Sequence, residues 1–244
     1  MHWIVCPDEK SQAKACASII AAQVLQKPSS VLGFATGSSP LKTYAELIEM
    51  SRQGAVSFSR VRTFNLDEYA GLPRDHPQSY SRFMWDNLFS GMNMREDQAR
   101  IPNGMAADLD AECRDYEQAI EDAGGIDLQL LGIGHDGHIA FNEPGPDFSK
   151  FTHVERLNAR TVEANKRFFD SADDVPRTAL SMGVGSIMRA RRILLAASGK
   201  DKAEIVKEAF LGPVTPSLTA SILQFHGDCT IILDREAASA LTYN

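Results

Sequence analysis

Short apolar runs recur along the chain, and each is bounded by turn-forming residues. The runs are continuously apolar over most of their length, which is typical of strands that helices cover on both faces. The pattern predicts six strands: His2 to Cys6, Val31 to Ala35, Val61 to Asn65, Ile126 to Leu131, Arg192 to Ala197 and Cys229 to Leu233.

The segments between these runs have helical spacing or helix-forming composition. Several begin after Asp or Ser, residues that favour helix starts. Alternating strands and helices predict an α/β fold, a doubly wound and mostly parallel Rossmann-like sheet flanked by helices. The predicted helices are Lys10 to Gln26, Pro40 to Arg52, Asp108 to Ala123 and Lys202 to Phe210.

The chain shows neither an internal repeat nor a low-complexity linker, so we expect residues 1–244 to form a single domain. The least regular stretch runs from Pro144 to Pro176 and is rich in charged and aromatic residues. Its prolines break regular structure. We therefore expect a mobile lid there, within about 150–180.

Charge narrows the range of partners. Lys and Arg number 25 against 32 Asp and Glu, a net charge of −7, so we expect neither a nucleic acid nor a membrane as partner. The four cysteines have no metal-binding or disulfide spacing, which indicates reduced thiols. The first ten residues do not resemble a signal peptide, and we expect a cytoplasmic protein.

Ligands of parallel sheets bind beyond the carboxyl ends of the strands. The first such loop is Thr36-Gly37-Ser38-Ser39-Pro40. Its glycine, hydroxyls and helix start could cradle an anion. It lacks the Walker GK[ST] sequence, and a capped helix after a tight turn is an equal alternative.

A second loop follows the strand that ends at Asn65 and carries adjacent carboxylates, Asp67 and Glu68. A carboxylate at a strand end can act as a base when burial or a charged neighbour raises its pKa. The alternative is an acidic helix cap or turn.

The third loop runs from Gly132 to Pro144 and contains the pattern GxGxxG up to Gly137. This pattern raises the possibility of a dinucleotide site, and Glu155 stands near the expected acidic position. The fingerprint needs a helix that starts on its glycines, however, and Pro144 and Pro146 follow too soon for one.

The same loop places Asp136, His138 and Glu143 close together in the chain. One carboxylate could fix the tautomer of the imidazole and the other could tune its charge, which makes an acid/base group. A metal site that includes His135 is an alternative, disfavoured because the spacing is not that of a helical pair. A tight turn with a hydrogen-bonded histidine is the purely structural alternative.

Two groups of cations could complete a phosphate site. Lys166 and Arg167 lie in the irregular stretch, and Lys200 and Lys202 follow the strand that ends at Ala197. An arginine offers bidentate recognition and a lysine a point charge. The sequence alone does not show that these cations converge.

Taken together, these motifs resemble the glucosamine-6-phosphate deaminases over nearly the whole chain. The resemblance is specific because several separate motifs occur in order. The matching segments are Phe34 to Pro40 with Tyr44, Thr63 to Tyr69, Gly71 to Pro73, His76-Pro77, Ser79-Tyr80, Gly132 to Gly134, Asp136 to Pro144, Ala164-Asn165 and Arg167 to Phe169.

The resemblance implies an enzyme of amino sugar catabolism that converts glucosamine 6-phosphate and water to fructose 6-phosphate and ammonia. It implies a phosphosugar substrate, no cofactor and no metal. Asp67 would move a proton from C2 to C1, and His138 would open the sugar ring with Asp136 and Glu143 tuning it. The implied phosphate site consists of Thr36, Gly37, Ser38, Ser39, Arg167 and Lys202.

One stretch departs from the family's pattern. Allosteric members bind N-acetylglucosamine 6-phosphate through serines, an arginine and a lysine shortly after the Asn-Glu-Pro motif, together with a longer tail. Here that stretch carries Pro146, Asp147, His153 and Glu155, and the sequence ends at Asn244. We therefore expect no activation by that effector and disfavour the hexamer that houses its site.

Three rival functions remain open. A 6-phosphogluconolactonase shares the fold and a similar glycine–histidine loop but usually lacks the ending Asn142-Glu143-Pro144. A sugar-sensing transcription regulator would need a DNA-binding helix-turn-helix, for which the sequence has no room before its first strand. A dinucleotide oxidoreductase is the third.

Overall fold

The structure is a computed structural model that describes residues 1–92, 94–169, 171 and 173–241. Its main element is a seven-stranded sheet in which all neighbouring strands run parallel. In spatial order the strands are β1 (His2–Cys6), β10 (Cys229–Asp234), β9 (Ile193–Ala197), β6 (Leu128–Leu131), β2 (Val31–Phe34), β3 (Arg62–Asn65) and β5 (Ala99–Arg100). The mostly parallel sheet and all six predicted strands are confirmed.

Helices cover both faces of this sheet, as its apolar strands require. In β9, Ile193 and Leu195 pack into the core on one face, whereas Leu194 and Ala196 pack into the core on the other. Because strand side chains alternate between faces, a strand with two covered faces must be apolar throughout. This packing explains why the strands could be predicted from uninterrupted apolar runs.

Four of the helices match their predicted bounds to within one residue at each end. Asp8 caps the first of them by accepting a hydrogen bond from the Ser11 amide, at 2.7 Å, and Asp108 caps the third by accepting from the Ala111 amide, at 2.9 Å. The helices are α1 (Glu9–Gln26), α2 (Leu41–Arg52), α3 (Tyr80–Met84), α4 (Leu109–Asp122), α5 (Ala159–Asn165), α6 (Val184–Met188) and α7 (Ala203–Leu211).

A second, antiparallel sheet was not predicted. It consists of β4 (Asp67–Tyr69), β8 (Thr178–Ser181) and β7 (His153–Arg156), in that order. Its strands are short, and two of them carry charged residues that resemble a turn in sequence. A small apolar cluster around Tyr69, Phe141 and Leu157 packs against this sheet.

The stretch in which we expected a lid contains regular structure. It includes β7, α5 and the start of β8, so it is more regular than its prolines and charges indicated. Asp170 and Ala172 of the predicted lid lie outside the described residues, as do Asn93 and residues 242–244 of the predicted domain.

Two further findings concern the cysteines and the length of the apolar helices. All four cysteines are buried and free, as their spacing indicated. Among the described residues, no helix is long and apolar enough to cross a membrane.

Candidate active site

The four loops singled out in the sequence meet in one cleft. They follow β9, β6, β2 and β3, which are neighbours in the sheet, and parallel strands place their carboxyl ends at the same edge. The cleft has a volume of about 750 Å³. Nine of the ten predicted site residues line it: Thr36, Gly37, Ser38, Ser39, Asp67, Asp136, His138, Arg167 and Lys202.

One end of the cleft is built to receive an anion. Gly37 has a φ of +94°, which lets the loop after β2 turn sharply before α2 begins. No side chain caps the start of α2, and the amide of its first residue, Leu41, donates to the Ser38 carbonyl at 3.4 Å. A helix start of this kind attracts negative charge. The alternative for Thr36 to Pro40 was a capped helix after a tight turn; the structure shows the turn and the helix but no side-chain cap.

Two cations from distant parts of the chain also line the cleft. Lys202 is partly buried and donates a hydrogen bond to the Ile133 carbonyl at 3.0 Å. Burial lowers the pKa of Lys202, and the charge of Arg167 lowers it further. Arg167 is exposed, with its guanidinium 4.7 Å from the centre of the Phe168 ring. The structure thus brings together the pair that the sequence could not join.

The other two cations of the predicted set do not line the cleft. The Lys166 ammonium pairs with Glu163 at 3.3 Å on the surface of α5, and Lys200 is exposed. Arg167 and Lys202 alone of the four line this cavity.

Asp67 lies deep in the middle of the cleft, although it is the first residue of β4 and not part of a loop. Only 6% of its surface is exposed. Burial and the neighbouring charge of Glu68 raise its pKa to about 7, against an opposing effect of His138. A carboxyl group with that pKa exchanges protons readily near neutral pH.

Glu68 has a different environment from its neighbour. Its carboxylate accepts hydrogen bonds from the amides of Tyr69 and Tyr80, both at 2.9 Å, and of Ser81 at 2.8 Å. It therefore caps the start of α3. The sequence allowed either a base or an acidic cap at this pair. Asp67 faces the cleft, as a base must, whereas Glu68 is a helix cap.

The loop after β6 is a tight turn held by glycine. The Gly134 amide donates to the His138 carbonyl at 2.9 Å, and the Gly137 amide donates to the Gly134 carbonyl at 3.1 Å. A β-carbon on Gly134 would lie 2.7 Å from the His138 ring. The glycines therefore make room for the imidazole. Since no helix starts on them, the dinucleotide interpretation of this motif is wrong.

This turn assembles the predicted acid/base group. Nδ1 of His138 lies 2.6 Å from Oδ1 of Asp136, a close contact that is poorly aligned for a hydrogen bond. Burial alone would raise the pKa of Asp136, but its contacts with His138 lower it to about 2. Asp136 is thus a stable anion beside the imidazole.

Glu143 is the third member of this acid/base group. It does not line the cleft, but side-chain atoms of Asp136, His138 and Glu143 all lie within 4.8 Å of one another. Both Glu143 oxygens accept hydrogen bonds from Asn158, one from the amide at 3.1 Å and one from the side chain. These bonds leave Glu143 little freedom to turn toward a cation.

A metal site at this cluster would have to displace existing contacts. His135, which the metal interpretation included, instead lies with its Nδ1 3.6 Å from Asp201 at the rim of the cleft. Burial and Lys202 lower the pKa of His135. The donor set fits an acid/base group, with carboxylates bonded to the protein, better than an open metal site.

Sequence reasoning gave no role to two residues that matter here. Asn158 holds Glu143 and also caps α5, and a cap asparagine before a helix is a signal that could have been read. Tyr80 lines the cleft and stacks on Phe141 with ring centres 5.8 Å apart. Tyr80 lay within a recognised motif, but nothing in its spacing showed that it would face Asp67.

Comparison with known proteins agrees with this geometry. A family model described as glucosamine-6-phosphate isomerases/6-phosphogluconolactonase matches residues 8–231. The chain belongs to this family. Glucosamine-6-phosphate deaminases are among its curated relatives. One from Thermoanaerobacter sp. (strain X514) is 53% identical over 99% of this chain and 95% of its own length, and one from Halothermothrix orenii is 50% identical over 99% and 100%.

Solved structures give the same family and fold. A monomeric glucosamine-6-phosphate deaminase superposes with a TM-score of 0.95 at 46% identity, over 98% of this chain and 100% of the other. The 6-phosphogluconolactonase from Trypanosoma cruzi superposes with a TM-score of 0.74 at 22% identity, over 99% and 97%. The second likeness shows the shared fold alone.

Proposed function

We propose that this enzyme is a glucosamine-6-phosphate deaminase, which converts glucosamine 6-phosphate and water to fructose 6-phosphate and ammonia. The observation that carries the proposal is the layout of the cleft: an anion-binding end, a buried carboxyl group with a pKa of about 7, and an imidazole between two carboxylates. Relatives at about half identity over the full chain that are named deaminases support it.

The phosphate group of the substrate would bind at the loop from Thr36 to Ser39. Backbone amides and hydroxyls of that loop would supply hydrogen bonds, and Arg167 and Lys202 would supply charge. Because the phosphate does not react, its binding energy serves to hold C1 and C2 of the sugar against Asp67.

His138 would open the pyranose ring. It takes the proton of the anomeric hydroxyl as the C1–O5 bond breaks, and it returns a proton to O5. An imidazole suits this task because it gains and loses a proton near neutral pH. Asp136, an anion 2.6 Å away, stabilises the protonated ring in between.

Asp67 would then take the proton from C2 of the open-chain amino aldehyde and return it to C1. The resulting ketimine adds water at C2 and releases ammonia, which leaves fructose 6-phosphate. Asp67 acts in the first step as an ionised carboxylate, and its low exposure keeps competing water away. A raised pKa strengthens it as a base.

We infer that the chain is a single domain and that the stretch within about 150–180 acts as its lid. The stretch places Arg160, Thr161, Asn165 and Arg167 on the cleft wall. A phosphate bound to Arg167 would draw this wall inward and cover the reacting carbons.

We further infer that the enzyme is not activated by N-acetylglucosamine 6-phosphate and does not form an allosteric hexamer. A structural relative at 46% identity is described as monomeric. In this chain Nε2 of His153 lies 3.0 Å from Glu155, so this part of the departing stretch presents a paired carboxylate to any approaching phosphate. Sedimentation analysis tests the oligomeric state, and initial-rate curves with and without the effector test activation. A hexamer, or a sigmoidal rate curve made hyperbolic by the effector, would contradict them.

The lactonase is the second candidate because the matching family model covers both enzymes and the fold is shared. A parallel assay separates the two reactions. The purified protein is given glucosamine 6-phosphate, with fructose 6-phosphate detected, and separately 6-phosphogluconolactone, with acid release detected. We expect turnover of the amino sugar alone. Lactone hydrolysis without formation of the ketose phosphate would overturn the proposal.

A further inference from the structure

We propose that Glu68 is a positioning residue of the active site, which fixes Asp67 and Tyr80 relative to each other through its buried carboxylate. The inference rests on the proposed function, in which Asp67 is the base. Glu68 is 2% exposed and does not itself line the cleft. Its influence on the reaction would therefore be exerted through its neighbours.

The first line of evidence is the hydrogen-bond pattern. One carboxylate oxygen of Glu68 accepts from the amides of Tyr69 and Tyr80, and the other accepts from the amide of Ser81. Three donors on two oxygens require a carboxylate, since an amide side chain would turn its own NH₂ group against one of these N–H groups. The strand that carries Asp67 is thereby tied to the start of α3.

The second line is what α3 delivers to the cleft. Tyr80 is the first residue of α3, and its ring packs on Phe141 and on Tyr69 with centre separations of 5.8 Å and 4.8 Å. Both Tyr80 and Phe141 line the cleft together with Asp67. A shift of α3 would move this aromatic wall relative to the base.

The third line is electrostatic. Glu68 is next to Asp67 in a buried strand, and after burial its charge is the main cause of the raised pKa of Asp67. The phenols near Asp67 have raised pKa values and are neutral at working pH. Among the described residues, the charged or titratable groups that interact electrostatically with Asp67 include Glu68, His138 from the loop after β6, Tyr44 of α2, Tyr69 of β4, Tyr80 of α3 and Tyr116 of α4.

The main test is Glu68→Gln in the full-length enzyme, which removes the charge at nearly constant volume. The acidic midpoint of kcat/KM should move to lower pH by about one unit, because Asp67 loses its anionic neighbour. The plateau value of kcat should fall about tenfold, while KM changes less. A cap with only a structural role would leave the midpoint where it is in the wild type.

Asp127→Asn is the matched control. Asp127 is also buried and accepts a backbone hydrogen bond, from Val31 at 2.8 Å, but it lies before β6 at the opposite edge of the sheet. Its substitution should lower the melting temperature without moving the pH profile. If Glu68→Gln behaves in the same way, Glu68 is only a structural cap and the proposal is wrong.

Glu68→Asp separates the effect of the negative charge from the effect of side-chain length. It also tests the positioning role if Glu68→Gln does not fold. It keeps the negative charge but is one methylene too short to hold α3. We expect an unshifted acidic midpoint with a lowered kcat. A wild-type kcat in Glu68→Asp would contradict the positioning role.

A second measurement does not depend on the reaction. The carboxyl carbon of Asp67 is followed by NMR in ¹³C-aspartate-labelled protein, with its signal assigned through Asp67→Asn. Its titration midpoint should be lower in Glu68→Gln than in wild type. If the wild type does not convert glucosamine 6-phosphate, the proposed function fails, but this titration still tests the effect of Glu68 on Asp67. Equal midpoints in wild type and Glu68→Gln would show that the charge of Glu68 does not raise the pKa of Asp67.

Discussion

Asp67→Asn should make the protein more stable at pH 8 while removing its activity. Burying an ionised carboxylate costs free energy that a neutral amide of the same shape avoids. The pKa of Asp67 rises from 3.8 to about 7 on folding. At 1.36 kcal/mol per pKa unit, this shift corresponds to about 4 kcal/mol of destabilisation in the wild type when Asp67 is ionised.

The sign of the pH dependence follows from the same shift. Native Asp67 keeps its proton to higher pH than the unfolded chain does, so stability falls as pH rises between 3.8 and about 7. The advantage of Asp67→Asn is therefore largest above pH 7. At pH 5 it should shrink to about 1.5 kcal/mol, and below the unfolded pKa it should vanish.

Thermal unfolding at pH 5 and pH 8 measures this difference. At pH 8 the melting temperature of Asp67→Asn should exceed that of the wild type by roughly 10 °C. Asp127→Asn serves as a control of opposite sign, since Asp127 is buried in contact with Lys27 and Arg191 and its substitution should destabilise. An unchanged melting temperature in Asp67→Asn, or an equal gain at both pH values, would refute the reasoning.

Three further substitutions test the other parts of the site. Arg167→Ala and Lys202→Ala should each chiefly raise KM, by about 10- to 100-fold, because each removes a charged phosphate contact, and any fall in kcat reports lost positioning of C1 and C2; an unchanged KM in steady-state kinetics would contradict this. His138→Asn should lower kcat by a factor of about 10²–10⁴, whereas calorimetry should show that an acyclic polyol phosphate still binds; loss of that binding would indicate a structural histidine. Gly137→Ala should lower the free energy of unfolding by about 1–3 kcal/mol, because Gly137 has a φ of +80° and a β-carbon would lie 1.9 Å from the Leu218 side chain; urea unfolding equal to wild type would contradict this.

Six of the seven strands of the parallel sheet could be predicted, because most of them are apolar on both faces, whereas the two-residue β5 was not predicted. Ile193 to Ala197, for example, has no polar residue and is buried throughout. The small sheet could not be predicted, since Asp67-Glu68-Tyr69 and His153 to Arg156 are short and charged. Their strand structure depends on pairing with β8, a contact between distant parts of the chain.

In the site, too, contacts between residues close in sequence could be predicted, whereas contacts between distant parts of the chain could not. Asp136, His138 and Glu143 are close in sequence, and a tight glycine turn was enough to predict that they meet. Arg167 and Lys202 meet only because β6 and β9 are neighbours and the stretch after β7 folds over their ends. A cap could be predicted at Glu68 and at Asn158, but their bonds to Tyr80 and Glu143 could not, because these partners are 12 and 15 positions away.

The central claim is tested most directly by adding glucosamine 6-phosphate to the purified protein in buffer with a chelator and measuring both products. We predict that ammonia and fructose 6-phosphate appear in equal amounts, and that Asp67→Asn forms neither. Failure of the folded wild-type protein to release ammonia, or release of ammonia without fructose 6-phosphate, would contradict the account.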